Sequence, residues 1–218
     1  MIPRAFLFDM DGTLIDNMMV HHRAWQSQLR SLGIDWSLAE VKEKVHGVNV
    51  EILERLFGDR FSPAERRRIS DEKEAAYRRI YANELVLLPG LEAFLDRAKL
   101  LGIPMAVATA APADNALWVM KQLQLDRYFS VIRHAGDVQR GKPDPQVFEL
   151  AADALGVAAS DCLIFEDSVT GAEAAKRAEA KAVILTTTHD RAEFADYEHI
   201  LAFGDDYGAW TPEDFFGQ

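Results

Sequence analysis

Two aspartates, Asp9 and Asp11, stand one residue apart where the apolar run Ala5 to Phe8 ends, and Gly12 follows them. A carboxylate at the end of a buried strand is costly unless something holds it. Further along the chain, Thr109 follows the apolar run Met105 to Ala108, and Glu166 and Asp167 follow Leu163 to Phe165. Lys142 lies in the loop GKPDP, just before a helix start. Four carboxylates, one lysine and one hydroxyl gathered at one sheet edge would make a magnesium and phosphate site. Mg²⁺ favours hard oxygen ligands, takes one or two carboxylates, and fills its remaining positions with water and phosphate oxygens.

The elements that must position these groups follow from patterning. Ala5–Phe8, Met105–Ala108, Leu163–Phe165 and Ala182–Leu185 read as buried parallel strands, with Val131–Ile132 and Ile200–Ala202 as weaker candidates. Helical stripes separate them. Leu91, Phe94, Leu95, Ala98 and Leu101 form one stripe; Val147, Leu150, Ala151 and Leu155 form another, with Asp144 as N-cap, Pro145 at N1 and Gly156 as the stop. The alternation predicts an α/β fold, a doubly wound parallel sheet with a Rossmann-like core, whose reactive groups gather at the carboxyl ends of its strands.

From about Asp16 to Leu87 no strand candidate appears. Met18, His22, Trp25, Leu29 and Leu32 recur at helical spacing, Gly33 closes that helix, and Ser62-Pro63 opens a long polar helix running to about Tyr81. The expected organisation is a core domain of 1–15 and 88–218 with an α-helical cap domain of 16–87 inserted into it.

A formal net charge of −11 argues against nonspecific binding to nucleic acid or an anionic membrane, since the long-range field repels both. The single cysteine, Cys162, fits a buried structural thiol and a reducing compartment. No stretch approaches the roughly 20 apolar residues of a membrane span, and the N-terminus shows no basic and long apolar pattern. The cytoplasm is the expected location.

Each residue also has a plain structural role. Thr109 could simply end a strand, Asp144 and Ser168 fit helix caps, and Lys142 alone would be an ordinary solvated lysine. Arg66-Arg67-Arg68 fits a solvated helix face balanced by Glu65, Asp71 and Glu72. His22 falls on an apolar stripe and fits core packing, whereas His21 lies beside it.

FDMDGTLID, the Thr109 strand end, GKPDP and FEDSVTG, in that order, resemble the four signature motifs of the haloacid dehalogenase superfamily. The insertion after the first motif resembles the helical cap of its β-phosphoglucomutase-like phosphatase branch. The resemblance implies a nucleophilic Asp9 that takes the phosphoryl group as an aspartyl-phosphate. An aspartate of ordinary pKa, about 3.9, is expected to be ionised for that role at neutral pH. Asp11 becomes the general acid and base; residues i and i+2 of a strand share a face, so both can approach one phosphorus. Thr109 and Ala110 would hold the phosphate, and Lys142 would balance its charge. Mg²⁺ would be held by Asp9, Asp167 and the Asp11 carbonyl, with Glu166 as a ligand or an acceptor behind the ligands. Dehalogenases of this fold lack an aspartate at the Asp11 position, so its presence favours phosphate chemistry.

In the cap, HHRAW places His21 at the active-site histidine of β-phosphoglucomutases, and Lys73 falls where they carry a lysine. Both matches favour a sugar phosphate. Around VHGVNVEI, however, the mutases' phosphate-gripping arginine is matched by Val50 and a neighbouring lysine by His46. Thr109-Ala110-Ala111-Pro112 likewise stands where they have Ser-Ala-Ser-Lys. A mutase must grip a second phosphate far from its nucleophile. The expectation is therefore a Mg²⁺-dependent phosphatase for a small phosphorylated metabolite such as a sugar phosphate. A phosphosugar mutase is the alternative, with Arg23 or an arginine elsewhere in the cap as a substitute clamp, and a non-catalytic phospho-ligand sensor is a more distant one. A monomer, with no nucleic-acid or membrane partner, completes the expectation.

Overall fold

The computed structural model describes residues 2–217. Its chain divides into two compact units, Met1–Asp16 with Val86–Gln218, and Asn17–Leu85. The sequence pattern suggests 16–87 for the second.

The first unit is built on a parallel sheet of order β3-β2-β1-β4-β5-β6. Its strands are β1 (Ala5–Phe8), β2 (Met105–Ala108), β3 (Val131–Arg133), β4 (Cys162–Glu166), β5 (Lys181–Leu185) and β6 (Ile200–Gly204). All six strand candidates are present, and the α/β fold is the doubly wound one expected. Residues of β1 alternate between its two faces as the pleat requires. Ala5 and Leu7 join Ile164, Val147, Phe148, Ala151 and Ala172 in one core. Phe6 and Phe8 pack on the opposite face with Phe94 and Phe165; the Phe8 and Phe165 rings stack at 4.6 Å. The strand order reverses between β1 and β4, the place where ligands bind in such sheets.

Helices α5 (Leu91–Leu100), α6 (Ala113–Gln122), α7 (Gln146–Ala154) and α8 (Val169–Arg177) complete the unit. In α5 the buried stripe is Leu91, Phe94, Leu95 and Ala98; Leu101 is the C-cap and is 38% exposed. Helix α7 starts one residue later than expected: Pro145 is the N-cap, and the Asp144 carboxylate accepts from the Gln146 N–H at 3.1 Å. Cys162 is buried, as its apolar context implied.

The second unit contains α1 (Met18–Ser31), α2 (Leu38–Lys44), α3 (Asn49–Phe57) and α4 (Pro63–Tyr81). Capping boxes at Ser37/Glu40 and Ser62/Glu65 start α2 and α4. Trp25, Leu29, Val41, Ile52, Leu53 and Ile69 form its core. His22 is buried among these helices. Arg66 departs from the expected solvated face: it is 8% exposed, pairs with Glu54 at 3.2 Å and donates to the Gly58 carbonyl at 2.7 Å. It holds the α3–α4 connection, while Arg67 and Arg68 stay in solvent. Among the described residues, no helix is long and apolar enough to cross a membrane.

Candidate active site

The carboxyl ends of β1 and β4 bring Asp9, Glu166 and Asp167 together. One ligand oxygen from each lies within 4.8 Å of the others, and all three residues are buried. The sheet ladder continues one step past β1, with the Asp9 N–H donating to the Phe165 carbonyl at 2.9 Å. This bond sets the two acidic strand ends in register. Gly12 then turns the chain at φ 79°, a left-handed conformation that glycine adopts without strain. A side chain there is also excluded by space, since a Cβ would lie 2.1 Å from Asp167 Oδ2.

Lys142 enters from the loop before α7. Its Nζ donates to Asp9 Oδ1 at 2.5 Å and to Glu166 Oε1 at 2.6 Å, and it sits 4.6 Å from the centre of the Phe148 ring. Burial opposes its charge, but Asp9 and Glu166 outweigh that cost and raise its pKa. Glu166 is fully engaged. Its Oε2 accepts from the N–H groups of Asp167 (2.8 Å) and Ser168 (2.9 Å) and from Ser168 Oγ (3.0 Å). This is possible because Gly171, in the first turn of α8, has no side chain: a Cβ there would lie 1.9 Å from the Glu166 carboxyl carbon. Burial works against ionised Glu166, yet Lys142 and these donors hold its pKa below the usual range.

Asp9 behaves differently from an ordinary aspartate. Burial, opposed by Lys142 and reinforced by Glu166 and Asp11, pushes its pKa up to about 7. Desolvation and two like charges thus work against the ionised side chain, and an added cation would favour it. Burial, with the charges of Glu166 and Asp9, also raises Asp167 well above its usual value. The carboxylate of Asp11 stands outside the three-residue cluster, on a half-buried residue that bridges to Ile15.

Thr109 is buried after β2, and its hydroxyl accepts from the Ala111 N–H at 3.0 Å. Its own N–H donates to the Arg133 carbonyl, so the strand-end reading holds for its backbone. Ala110 is exposed.

The residues expected in the cap separate. Lys73, 2% exposed, places Nζ 2.8 Å from His21 Nδ1 and 2.9 Å from Glu74 Oε1. Asn49 donates to the same Glu74 oxygen at 2.7 Å. His21 stacks on Tyr77 with centroids 4.0 Å apart, and Asn17 donates to Tyr77 Oη at 2.6 Å. Burial first, then the Lys73 charge, lowers the His21 pKa to about 3, so the ring is neutral. His46 is exposed, with Nε2 at 2.6 Å from the Glu43 carbonyl. Glu74, Asn49 and Tyr77 had no sequence signal: within the polar helix α4, Glu74 is indistinguishable from its solvated neighbours.

The acidic cluster fits Mg²⁺. Its donors are hard oxygens, and carboxylates outnumber the one lysine.

Comparison with known proteins identifies the family. A sequence model of haloacid dehalogenase-like hydrolases matches residues 3–179. The protein YhcW of Bacillus subtilis (strain 168) is 34% identical over 204 residues, covering 91% of this chain and 90% of its own. A phosphorylated carbohydrates phosphatase of Thermotoga maritima is 31% identical over 179 residues, covering 80% and 81%. A crystal structure of a family IA, variant 3 hydrolase from Entamoeba histolytica superposes with a TM-score of 0.87 at 25% identity, covering 97% and 96%. This chain belongs to the haloacid dehalogenase-like hydrolase family.

Proposed function

We propose that the chain removes the phosphate from a small phosphorylated metabolite, a sugar phosphate in the first instance, through an aspartyl-phosphate on Asp9. The observation that carries this reading is the buried cluster of Asp9, Lys142, Glu166 and Asp167 at the sheet's topological switch. A relative named for phosphorylated carbohydrates supports the substrate class.

In this reading the Asp9 carboxylate attacks phosphorus while Lys142 holds its second oxygen and offsets charge on the phosphoryl group. Asp11 protonates the leaving oxygen and then takes a proton from the water that cleaves the acyl-phosphate, regenerating Asp9 and releasing inorganic phosphate. Thr109 and the backbone after it hold the phosphoryl oxygens. Mg²⁺, held by Asp9, Asp167 and the Asp11 carbonyl, would neutralise negative charge on the phosphate and the carboxylates. Glu166 already accepts from Lys142, two N–H groups and a hydroxyl. Of its two expected roles, that of acceptor behind the ligands has the better support.

Phosphatase is favoured over mutase because Val50 stands where the mutases carry their phosphate-gripping arginine and Arg23 is already engaged. Both terminal nitrogens of Arg23 are committed to Glu84, at 3.0 and 2.5 Å. The test is turnover: the protein with Mg²⁺ and a panel of phosphorylated metabolites, with Asp9→Asn as control. Phosphate release by the parent alone is expected; binding without release from any substrate would replace the enzyme with a sensor. Supplied with β-glucose 1-phosphate and catalytic glucose 1,6-bisphosphate, the protein should yield free phosphate. Efficient formation of glucose 6-phosphate instead would make it a mutase.

A further inference from the structure

Three consecutive threonines, Thr186, Thr187 and Thr188, follow β5, outside the residues 3–179 that match the family. Their hydroxyls point to different ends. Thr186 Oγ1 donates to Asp205 Oδ1 at 2.6 Å, tying the loop to the end of β6. Thr187 Oγ1 donates to the Gly12 carbonyl at 2.6 Å, tying it to the turn after Asp11. Thr188 Oγ1 is buried and has no partner of ordinary hydrogen-bond geometry. Buried hydroxyls nearly always have a partner, either protein or ordered solvent, so this one requires a reason.

Its surroundings supply the reason. A Cβ built on Gly12 would lie 2.1 Å from Asp167 Oδ2 and 2.9 Å from Thr188 Oγ1. Both oxygens therefore face the same narrow space, held open by a glycine whose carbonyl accepts from Thr187. Burial, Glu166 and Asp9 disfavour ionised Asp167, and the Thr188 hydroxyl acts in the opposite direction.

We propose that Thr188 is a positioning residue: its hydroxyl donates to Asp167 and fixes that carboxylate for the cation. This rests on the reading of Asp9 and Asp167 as cation ligands. Groups behind a metal's ligands orient them, and their loss typically costs about 10–100-fold in metal affinity.

The test measures Mg²⁺ binding to the intact chain by titration calorimetry, without substrate. Thr188→Val, which keeps shape and loses the hydroxyl, should weaken Mg²⁺ binding about 10-fold or more, and Thr188→Ser should restore most of it. In turnover, Thr188→Val should raise the Mg²⁺ concentration needed for half-maximal rate, with kcat approaching the parent value at saturating Mg²⁺. Thr186→Val, in the same loop, should leave Mg²⁺ affinity unchanged. Parent-like affinity in Thr188→Val would overturn the proposal, as would equal losses in Thr188→Ser or Thr186→Val, which would assign the effect to loop packing. Asp167→Asn separates the two layers. If it abolishes Mg²⁺ binding while Thr188→Val does not weaken it, only the role of Thr188 fails. If it leaves Mg²⁺ binding intact, the cation reading itself fails.

Discussion

The chain buries two polar clusters, one in each unit, with opposite electrostatic balance. At the sheet edge, Asp9, Glu166 and Asp167 share one lysine, and the two aspartates are pushed toward the protonated state. In the helical unit, one lysine faces one glutamate and a neutral histidine. The second cluster sets one cation beside one anion. The first carries excess negative charge that burial makes costly, and an added cation relieves it. A buried polar group that is self-neutralised is a fixture of the fold, whereas one left with uncompensated charge is prepared for a ligand.

The largest expected effect comes from unbalancing the sheet-edge cluster further. Lys142→Met should cost about 3–5 kcal/mol of stability at neutral pH without Mg²⁺, since it leaves two buried carboxylates without their cation. Urea unfolding measures this, and the deficit should shrink at lower pH as those carboxylates protonate. An unchanged midpoint would show that the lysine is not what balances the cluster.

Next is the competition between protons and Mg²⁺. With the Asp9 pKa raised to about 7, protons occupy the site below that pH. Mg²⁺ affinity should fall as pH drops below about 7, by up to about tenfold per unit, and level off above it. Calorimetric titration between pH 5.5 and 8.5 would show it; a flat profile would mean that Asp9 is ionised throughout.

A smaller effect is expected in the helical unit. Glu74→Gln removes the charge facing Lys73 and should destabilise the protein by about 2 kcal/mol, with no change in Mg²⁺ affinity. A loss of Mg²⁺ binding in this variant would erase the distinction between the clusters. The least visible prediction concerns His21. Its lowered pKa means that the unfolded chain binds a proton below about pH 6.5 while the folded ring does not. Stability contributed here is present above that pH and declines as pH falls toward about 3. Histidine NMR should show the His21 ring unprotonated down to pH 5; titration near 6.5 would refute its burial against Tyr77.

Much of the sheet edge was legible in advance, because parallel strands must end together. Runs as short as Ala5–Phe8 and Leu163–Phe165 already implied that Asp9 and Asp167 meet. Gly12 and Gly171 were visible as letters, but their reason was not: each makes room for a carboxylate more than 100 positions or only five positions away, and sequence distance does not reveal which. The polar helix α4 was predicted with its Ser62 cap, yet Arg66 and Glu74 within it are buried, and nothing in their local sequence separates them from Arg67 or Glu72.

By itself, then, the sequence determined the order of strands and helices, the inserted helical segment, and the set of groups delivered to one edge. Periodicity and strand ends are local properties. Only the tertiary structure decided that Lys142 is shared between Asp9 and Glu166, that Glu166 is saturated by the start of α8, that burial raises the Asp9 pKa, and that Asp167 and Thr188 both border Gly12. Desolvation and hydrogen-bond partners depend on which distant segments close over a group, and those contacts form only when the sheet assembles.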